Sequence, residues 1–254
     1  LGIVGIAILF LAIEIVANVW WVTQINCEFE QNEIFQNLSE AEKEQLCLDF
    51  YNIRTSGDEM IPNQNVDSIT INSHGFRGVE FSAEKPSDTY RIFMIGGSTI
   101  FGEHVGESNT KAAHLQKLFA NQNLDFDIEV INAGISSAWS KTEIRMVKEK
   151  IINYDPDLLI VFDGWNDVTD ELVKNSNWSK DANVENWVSR WTEICEIGKQ
   201  NNFETIITVQ PILGSGNKFF TNQEASEYWS HDYIQSHVSL LENYAYNLKN
   251  LESS

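Results

Sequence analysis

The sequence predicts an α/β fold built on a parallel sheet, preceded by one membrane-spanning helix. Three observations predict it. Four short apolar runs, at residues 91–95, 127–131, 158–162 and 205–209, each lead into Gly, Asn, Asp or Gln-Pro. Continuous apolar runs bounded by turn residues suit strands covered on both faces. Between the runs, apolar residues recur at helical spacing. Finally, the segment from Leu1 to Trp21, LGIVGIAILFLAIEIVANVWW, is apolar except for Glu14 and Asn18.

As a helix the first segment spans roughly 30 Å, at about 1.5 Å per residue, which matches a bilayer core. Trp20 and Trp21 stand where an interfacial aromatic belt is expected. The run is longer than the apolar part of a signal peptide, so a retained anchor is expected. Because the chain starts on Leu rather than Met, a preceding segment is expected. Glu14 either faces a partner helix or reaches the interface. The residues after the anchor are acidic (Glu28, Glu30, Glu33) and the first Lys is Lys43. That lack of positive charge favours a body on the extracellular or periplasmic side. The sequons Asn37-Leu-Ser39 and Asn177-Trp-Ser179 agree weakly with export.

Residues 22–65 are mixed and polar, with a helical stretch near 38–52, and read as a juxtamembrane stalk or small helical segment. Cys27 and Cys47 either form a disulfide, worth roughly 3 kcal/mol on the chain-entropy model, or stay as thiols; spacing alone leaves both open. Residues 66–254 form the α/β domain. Ser140-Lys-Thr-Glu143 reads as a capping box before Ile144, Val147 and Ile151. Val184, Trp187, Val188, Trp191, Ile194, Cys195 and Gly198 share a face, which makes Cys195 a core thiol. Tyr233, His237, Leu240, Leu241, Tyr244, Leu248 and Leu251 form a last stripe, with His237 packed or at its edge. This alternation implies a doubly wound, flavodoxin-like three-layer α/β/α sheet.

Composition narrows the function. The 254 residues include 17 Lys+Arg and 37 Asp+Glu, so the net charge is 17 − 37 = −20. That balance disfavours a protein that tracks nucleic-acid phosphates. Three cysteines are too few for a disulfide scaffold or a four-cysteine zinc site, and no metal or cofactor is expected.

In a doubly wound sheet the chemistry sits outside the carboxyl ends of the strands. Three segments fall there: Gly96-Gly97-Ser98-Thr99-Ile100-Phe101-Gly102, Asn132-Ala133-Gly134 and Gly164-Trp165-Asn166-Asp167. The first is followed by Glu103-His104 where a phosphate-binding loop would carry Lys-Ser/Thr, and it lacks G-x-G-x-x-G. An exposed hydroxyl on a sharp turn with fixed N–H donors suits acyl transfer instead.

Together the three segments resemble the SGNH/GDSL hydrolases over about residues 70–250, with a lead-in Asn72-Ser-His-Gly75-Phe76-Arg77-Gly78 seen in one branch of that family. The resemblance implies Ser98 as nucleophile. It implies the Gly134 N–H, the Asn166 side chain and the Ser98 N–H as oxyanion donors. Trp139 and Trp165 are candidate substrate-stacking faces. Two departures stand out. The first block reads Gly-Gly-Ser-Thr where the family name implies Gly-Asp-Ser. The family's last block, Asp-x-x-His, does not occur: His74, His104, His114, His231 and His237 all lack Asp three residues before them. A domain incomplete at its C-terminus is therefore expected. Two functions follow: a membrane-anchored serine esterase or acyltransferase acting on ester substrates such as O-acetyl glycans, or an accessory subunit of a membrane complex that keeps the fold without the chemistry. Expected partners are the bilayer, through the segment from Leu1 to Trp21, and transmembrane helices of a larger complex. No nucleic acid is expected.

Overall fold

The structure, a computed structural model, describes residues 2–25, 27, 35–168, 180–230 and 232–251. The first helix, α1 (Gly2–Gln24), carries an apolar window at Val4–Trp21, none of it buried. It is long and apolar enough to cross a membrane. Helix α2 (Glu40–Asn52) starts at Ser39, which forms a capping box with Glu42: the Ser39 N–H donates to Glu42 Oε2 (2.8 Å) and the Glu42 N–H to Ser39 Oγ (3.3 Å). Cys27 and Cys47 form a disulfide, their Cα atoms 6.0 Å apart, which decides the pairing that spacing left open. Asn37 is exposed, whereas Asn177 lies outside the described residues.

Two short antiparallel pairs lead into the domain: β1 (Thr55–Ser56) with β2 (Glu59–Met60), and β3 (Gln64–Asn65) with β4 (Thr70–Ile71). The central sheet holds β5 (Thr89–Gly96), β6 (Asp127–Asn132), β7 (Leu158–Asp163) and β8 (Glu204–Val209), all parallel, in the order β6-β5-β7-β8. Each expected run is a strand. Phe93 and Ile95 of β5 join Leu159 and Val161 of β7 in the larger core, while Met94 joins Ile160 and Phe162 in a second cluster on the other face. Side chains alternate across a strand, so two core faces on one run require helices on both sides.

Those helices are α3 (Ser98–Phe101), α4 (Lys111–Ala120), α5 (Ser140–Glu149), α6 (Lys180–Asn201), α7 (Asn222–Ser230) and α8 (Asp232–Leu251). Trp187, Trp191 and Ile194 of α6 are fully buried, and the Trp187 ring stacks on Tyr244 of α8 at 4.4 Å. The two expected stripes thus form one interface. Cys195 is half-buried rather than fully buried, since it flanks the stripe's centre line, and desolvation raises its thiol pKa.

The capping box expected at Ser140 is not formed. Helix α5 begins one residue earlier in register, with Trp139 as the cap and its N–H donating to Thr142 Oγ1 at 3.2 Å. Ser140 and Glu143 are both buried and turned toward the sheet. A distant partner for Ser140 overrides the local motif, as the site shows.

Candidate active site

The chain leaves β5 toward β6 on one side and returns to β7 on the other. The crevice between the carboxyl ends of β5 and β7 is therefore the switch point of the sheet. Ser98 follows β5 and the Gly164–Asp167 segment follows β7, so topology alone brings the first and third motifs together.

Side chains tighten that juxtaposition. A Cβ placed on Gly97 would collide with Asn166 Nδ2, so the Asn166 amide lies directly against the residue before Ser98. Asn166 Nδ2 donates to the Ala138 carbonyl at 2.6 Å. A primary amide carries two N–H groups, which leaves a second one at this position. Gly96 is equally constrained, because a Cβ there would press on Ile100 and the Phe162 carbonyl. Ser98 itself is half-buried at the first position of α3.

The second motif also packs against the turn that carries Ser98. The Gly134 N–H donates to Asn132 Oδ1 at 3.0 Å, so in this arrangement it is engaged and not presented to an oxyanion. What Gly134 supplies is closeness: a Cβ there would strike the backbone of Ile100 and Phe101. Asn132 completes the contact, its Nδ2 donating to the Ile100 carbonyl (2.9 Å) and, more weakly, to that of Phe101 (3.3 Å).

Arg77, from the lead-in, closes the other side. It is 3% exposed, and its guanidinium donates to the carbonyls of Phe101 (2.8 Å), Gly102 (2.7 Å) and Val105 (2.7 Å). Those are the carbonyls that end α3 and start the next loop, which have no helical partner of their own. Glu107 faces the guanidinium at 3.5 Å. Burial lowers the Arg77 pKa and Glu107 pulls it back up. Arg77 is itself placed by the backbone, its N–H donating to the Asn132 carbonyl at 3.1 Å. Asn72 shapes the lead-in by accepting from the N–H groups of His74 and Phe76, both at 3.0 Å.

Three buried carboxyl groups lie behind Asn166. Asp167 accepts from the Ser140 N–H (2.9 Å), from the Ser140 hydroxyl and from Arg190 Nη1 (3.2 Å). Asp163 accepts from Trp187 Nε1 at 3.0 Å. Neither carboxyl oxygen of Glu143, which is 1% exposed, has a hydrogen-bond partner among the described residues. Burial, then the charges of Asp163 and Asp167, hold Glu143 well above the usual carboxylate range. Burial and then Asp163 do the same to Asp167, against the opposing bonds from Ser140. Three charges in such a setting repel one another, and burial with that repulsion favours the protonated form of Glu143. Among the described residues no group of acidic, His or Cys side chains is arranged to hold a metal.

The two tryptophans are occupied. Arg190 lies over the Trp139 ring at 5.1 Å and Lys141 at 5.7 Å, while Trp165 packs against the buried His237 at 4.7 Å. His74 is held by the Phe81 carbonyl (2.9 Å) and Tyr154 (3.3 Å), and His104 lies 3.9 Å from Cys27 Sγ. His231 is outside the described residues. Among the described residues no histidine hydrogen-bonds to Ser98 Oγ.

Sequence reasoning singled out Ser98, Gly134 and Asn166. It missed the work of Asn132, Arg77, Asp167 and Arg190. The signal was there for the first three, since each stands inside a quoted motif, but their partners lie 23 to 32 residues away in sequence.

No family model matches the sequence, and no curated protein matches it. Among solved structures the chain is similar to an acetylxylan esterase from Geobacillus stearothermophilus, with 16% identity over 62% of this chain and 72% of that one and a TM-score of 0.42. It is similar to TesA, with 16% identity over 59% and 69% and a TM-score of 0.41. It is similar to a GDSL-like lipase from Bacteroides thetaiotaomicron, with 20% identity over 63% and 65% and a TM-score of 0.34. Likenesses this distant say nothing of substrate or residue roles, which rest on the geometry above.

Proposed function

We propose that the chain is a serine acyl hydrolase carried on a membrane anchor, its body facing outward, that acts on ester substrates. Ser98 Oγ attacks the ester carbonyl and its proton passes to a base. The carbonyl oxygen becomes an oxyanion, met by the second N–H of Asn166 and by the Ser98 N–H. Collapse expels the alcohol, which takes up the proton, and leaves acyl-Ser98 for water to cleave. One observation carries this reading: the Asn166 amide lies against Gly97, where only a residue without a Cβ leaves room for it. Gly134 and Arg77 serve by fixing the turn that presents Ser98.

A second reading keeps the fold without the chemistry, as an accessory subunit. It is favoured by the absence of any histidine bonded to Ser98 Oγ among the described residues. A serine hydroxyl without a base is a weak nucleophile, although oxyanion donors alone retain some rate. Nitrophenyl acetate separates the readings. A burst of nitrophenol from the intact protein, abolished by Ser98→Ala, is expected of the hydrolase. An equal, slow release from both proteins fits the accessory subunit.

A further inference from the structure

Glu14 stands near the middle of the membrane helix. The apolar window of α1 runs from Val4 to Trp21, and Glu14 lies about 2 Å along the axis from its midpoint, at about 1.5 Å per residue. Trp21, at the interfacial end, is about 10 Å away. A glutamate side chain, two methylenes and a carboxyl, does not cover that distance. A carboxyl held at hydrocarbon depth is costly and is ordinarily turned to a protein partner. The Glu14 side chain has no hydrogen bond or ion pair among the described residues.

Asn18 shares its face. The two residues are one turn apart, and Asn18 Nδ2 donates to the Glu14 carbonyl at 3.0 Å. Ala7, Leu11, Glu14, Asn18 and Trp21 follow one another at steps of four, three, four and three, the spacing of a seam between packed helices. The opposite side, formed by Ala12, Ile13, Val16, Ala17 and Trp20, carries no charge and suits lipid chains. One face of α1 is therefore satisfied by the bilayer and the other is not.

The chemistry of the second face selects its partner. Ionised Glu14 offers two acceptor oxygens and Asn18 a third, against one amide N–H of Asn18 not already committed. Acceptors in excess call for a group rich in donors. This chain cannot supply a cation there, because residues 1–42 contain no Lys, Arg or His. A second copy lying parallel brings the same acceptors to the same depth, and its own body of net charge −20. A Lys ammonium, with three donors, or an Arg guanidinium, with five, meets both the charge and the hydrogen-bonding demand.

We infer that the face of α1 bearing Glu14 and Asn18 docks a transmembrane helix of another protein that carries a Lys or Arg near its own middle. The inference rests on the membrane-anchor part of the proposed function and holds under either reading of Ser98. Glu14 supplies the counter-charge, Asn18 Oδ1 accepts beside it, and Ala7 lets the two backbones approach closely.

The test uses the intact protein in phosphatidylcholine vesicles with synthetic Leu/Ala transmembrane peptides. Each peptide carries a photoactivatable leucine and, at its centre, either Lys or norleucine. Cross-links to residues 7–21 are read by mass spectrometry over a range of peptide-to-lipid ratios. The Lys peptide should reach half-maximal cross-linking at about a tenfold lower ratio than the norleucine peptide. Glu14→Gln should abolish that preference, and Asn18→Leu should reduce it about threefold. Equal cross-linking by the two peptides, or a preference that survives Glu14→Gln, overturns the inference. Cross-linking between two copies of the protein through residues 7–21 that excess Lys peptide does not displace gives the face to a second copy, and also overturns it. Flotation of the vesicles in alkaline carbonate runs in parallel. Protein that does not float removes the anchor reading and the docking face with it. Protein that floats but shows no preference for the Lys peptide removes the docking face alone.

Discussion

Arg77 and Asp167 have similar mechanical tasks on opposite flanks of Ser98, and their surroundings differ. Arg77 gathers three carbonyls at the end of α3 and has one nearby acid, Glu107. Asp167 gathers Ser140 and Arg190, and has two more buried acids at its back. The cation is answered almost entirely by neutral dipoles and stays charged. The anion shares its burial with like charge, which raises the pKa of the clustered carboxyls. The difference teaches that one flank is held by hydrogen bonds insensitive to pH near neutrality, and the other by an arrangement whose charge depends on pH.

The largest effect should come from the Arg77 flank. Arg77→Met removes three donated bonds at once: the Val105 carbonyl loses its donor, and those of Phe101 and Gly102 keep only the longer bonds from Asn132 Nδ2 (3.3 Å) and the Val105 N–H (3.2 Å), at about 1–3 kcal/mol for an unsatisfied group. A total loss of about 3–5 kcal/mol is expected in urea unfolding. Arg77→Lys should recover little, because one ammonium does not reproduce a planar fork. Near-neutral behaviour of Arg77→Met would show that the loop after α3 holds itself.

Asp167→Asn should cost less, about 1 kcal/mol. The amide still accepts from the Ser140 N–H, and removing one negative charge relieves Asp163 and Glu143. The Glu143 pKa should fall toward the usual range, read by carbon NMR of its carboxyl. A larger loss of stability for Asp167→Asn than for Arg77→Met would invert the comparison.

Glu143 gives the smallest but most specific effect. Its folded pKa is raised, so the folded state holds a proton that the unfolded state releases above about pH 4. Folded proteins that bind more protons than their unfolded chains lose stability as pH rises. Stability should therefore decline from about pH 4 upward toward the raised pKa, with a slope of at most about 1.4 kcal/mol per pH unit per proton. Glu143→Gln should remove that proton's share of the slope. An unchanged slope would mean that Glu143 titrates alike in both states.

The same contrast explains what was legible in the sequence. The strands were legible because burial on both faces writes a continuous apolar run, and all four runs are strands. The α6 and α8 stripes were legible because a single helix carries the whole signal. Ser140 was misread because its partner, Asp167, lies 27 residues away and outcompetes the local cap. Gly134 was read as a donor, and the bond its N–H makes to the Asn132 side chain two residues before it was not legible. Polar residues announce that they need a partner, not which partner the fold supplies. The same limit left Cys27 and Cys47 undecided until the fold set their Cα atoms 6.0 Å apart.

The central claim is that Ser98 and Asn166 act on one reacting carbonyl. Pre-steady-state acylation by nitrophenyl acetate, compared among the intact protein, Ser98→Ala and Asn166→Ala, tests it most directly. The account predicts a burst that Ser98→Ala abolishes and that Asn166→Ala slows about 10²–10³-fold, with unfolding free energy changed by only about 1 kcal/mol. A burst that survives Ser98→Ala, or an Asn166→Ala protein that acylates at the unaltered rate, would contradict it.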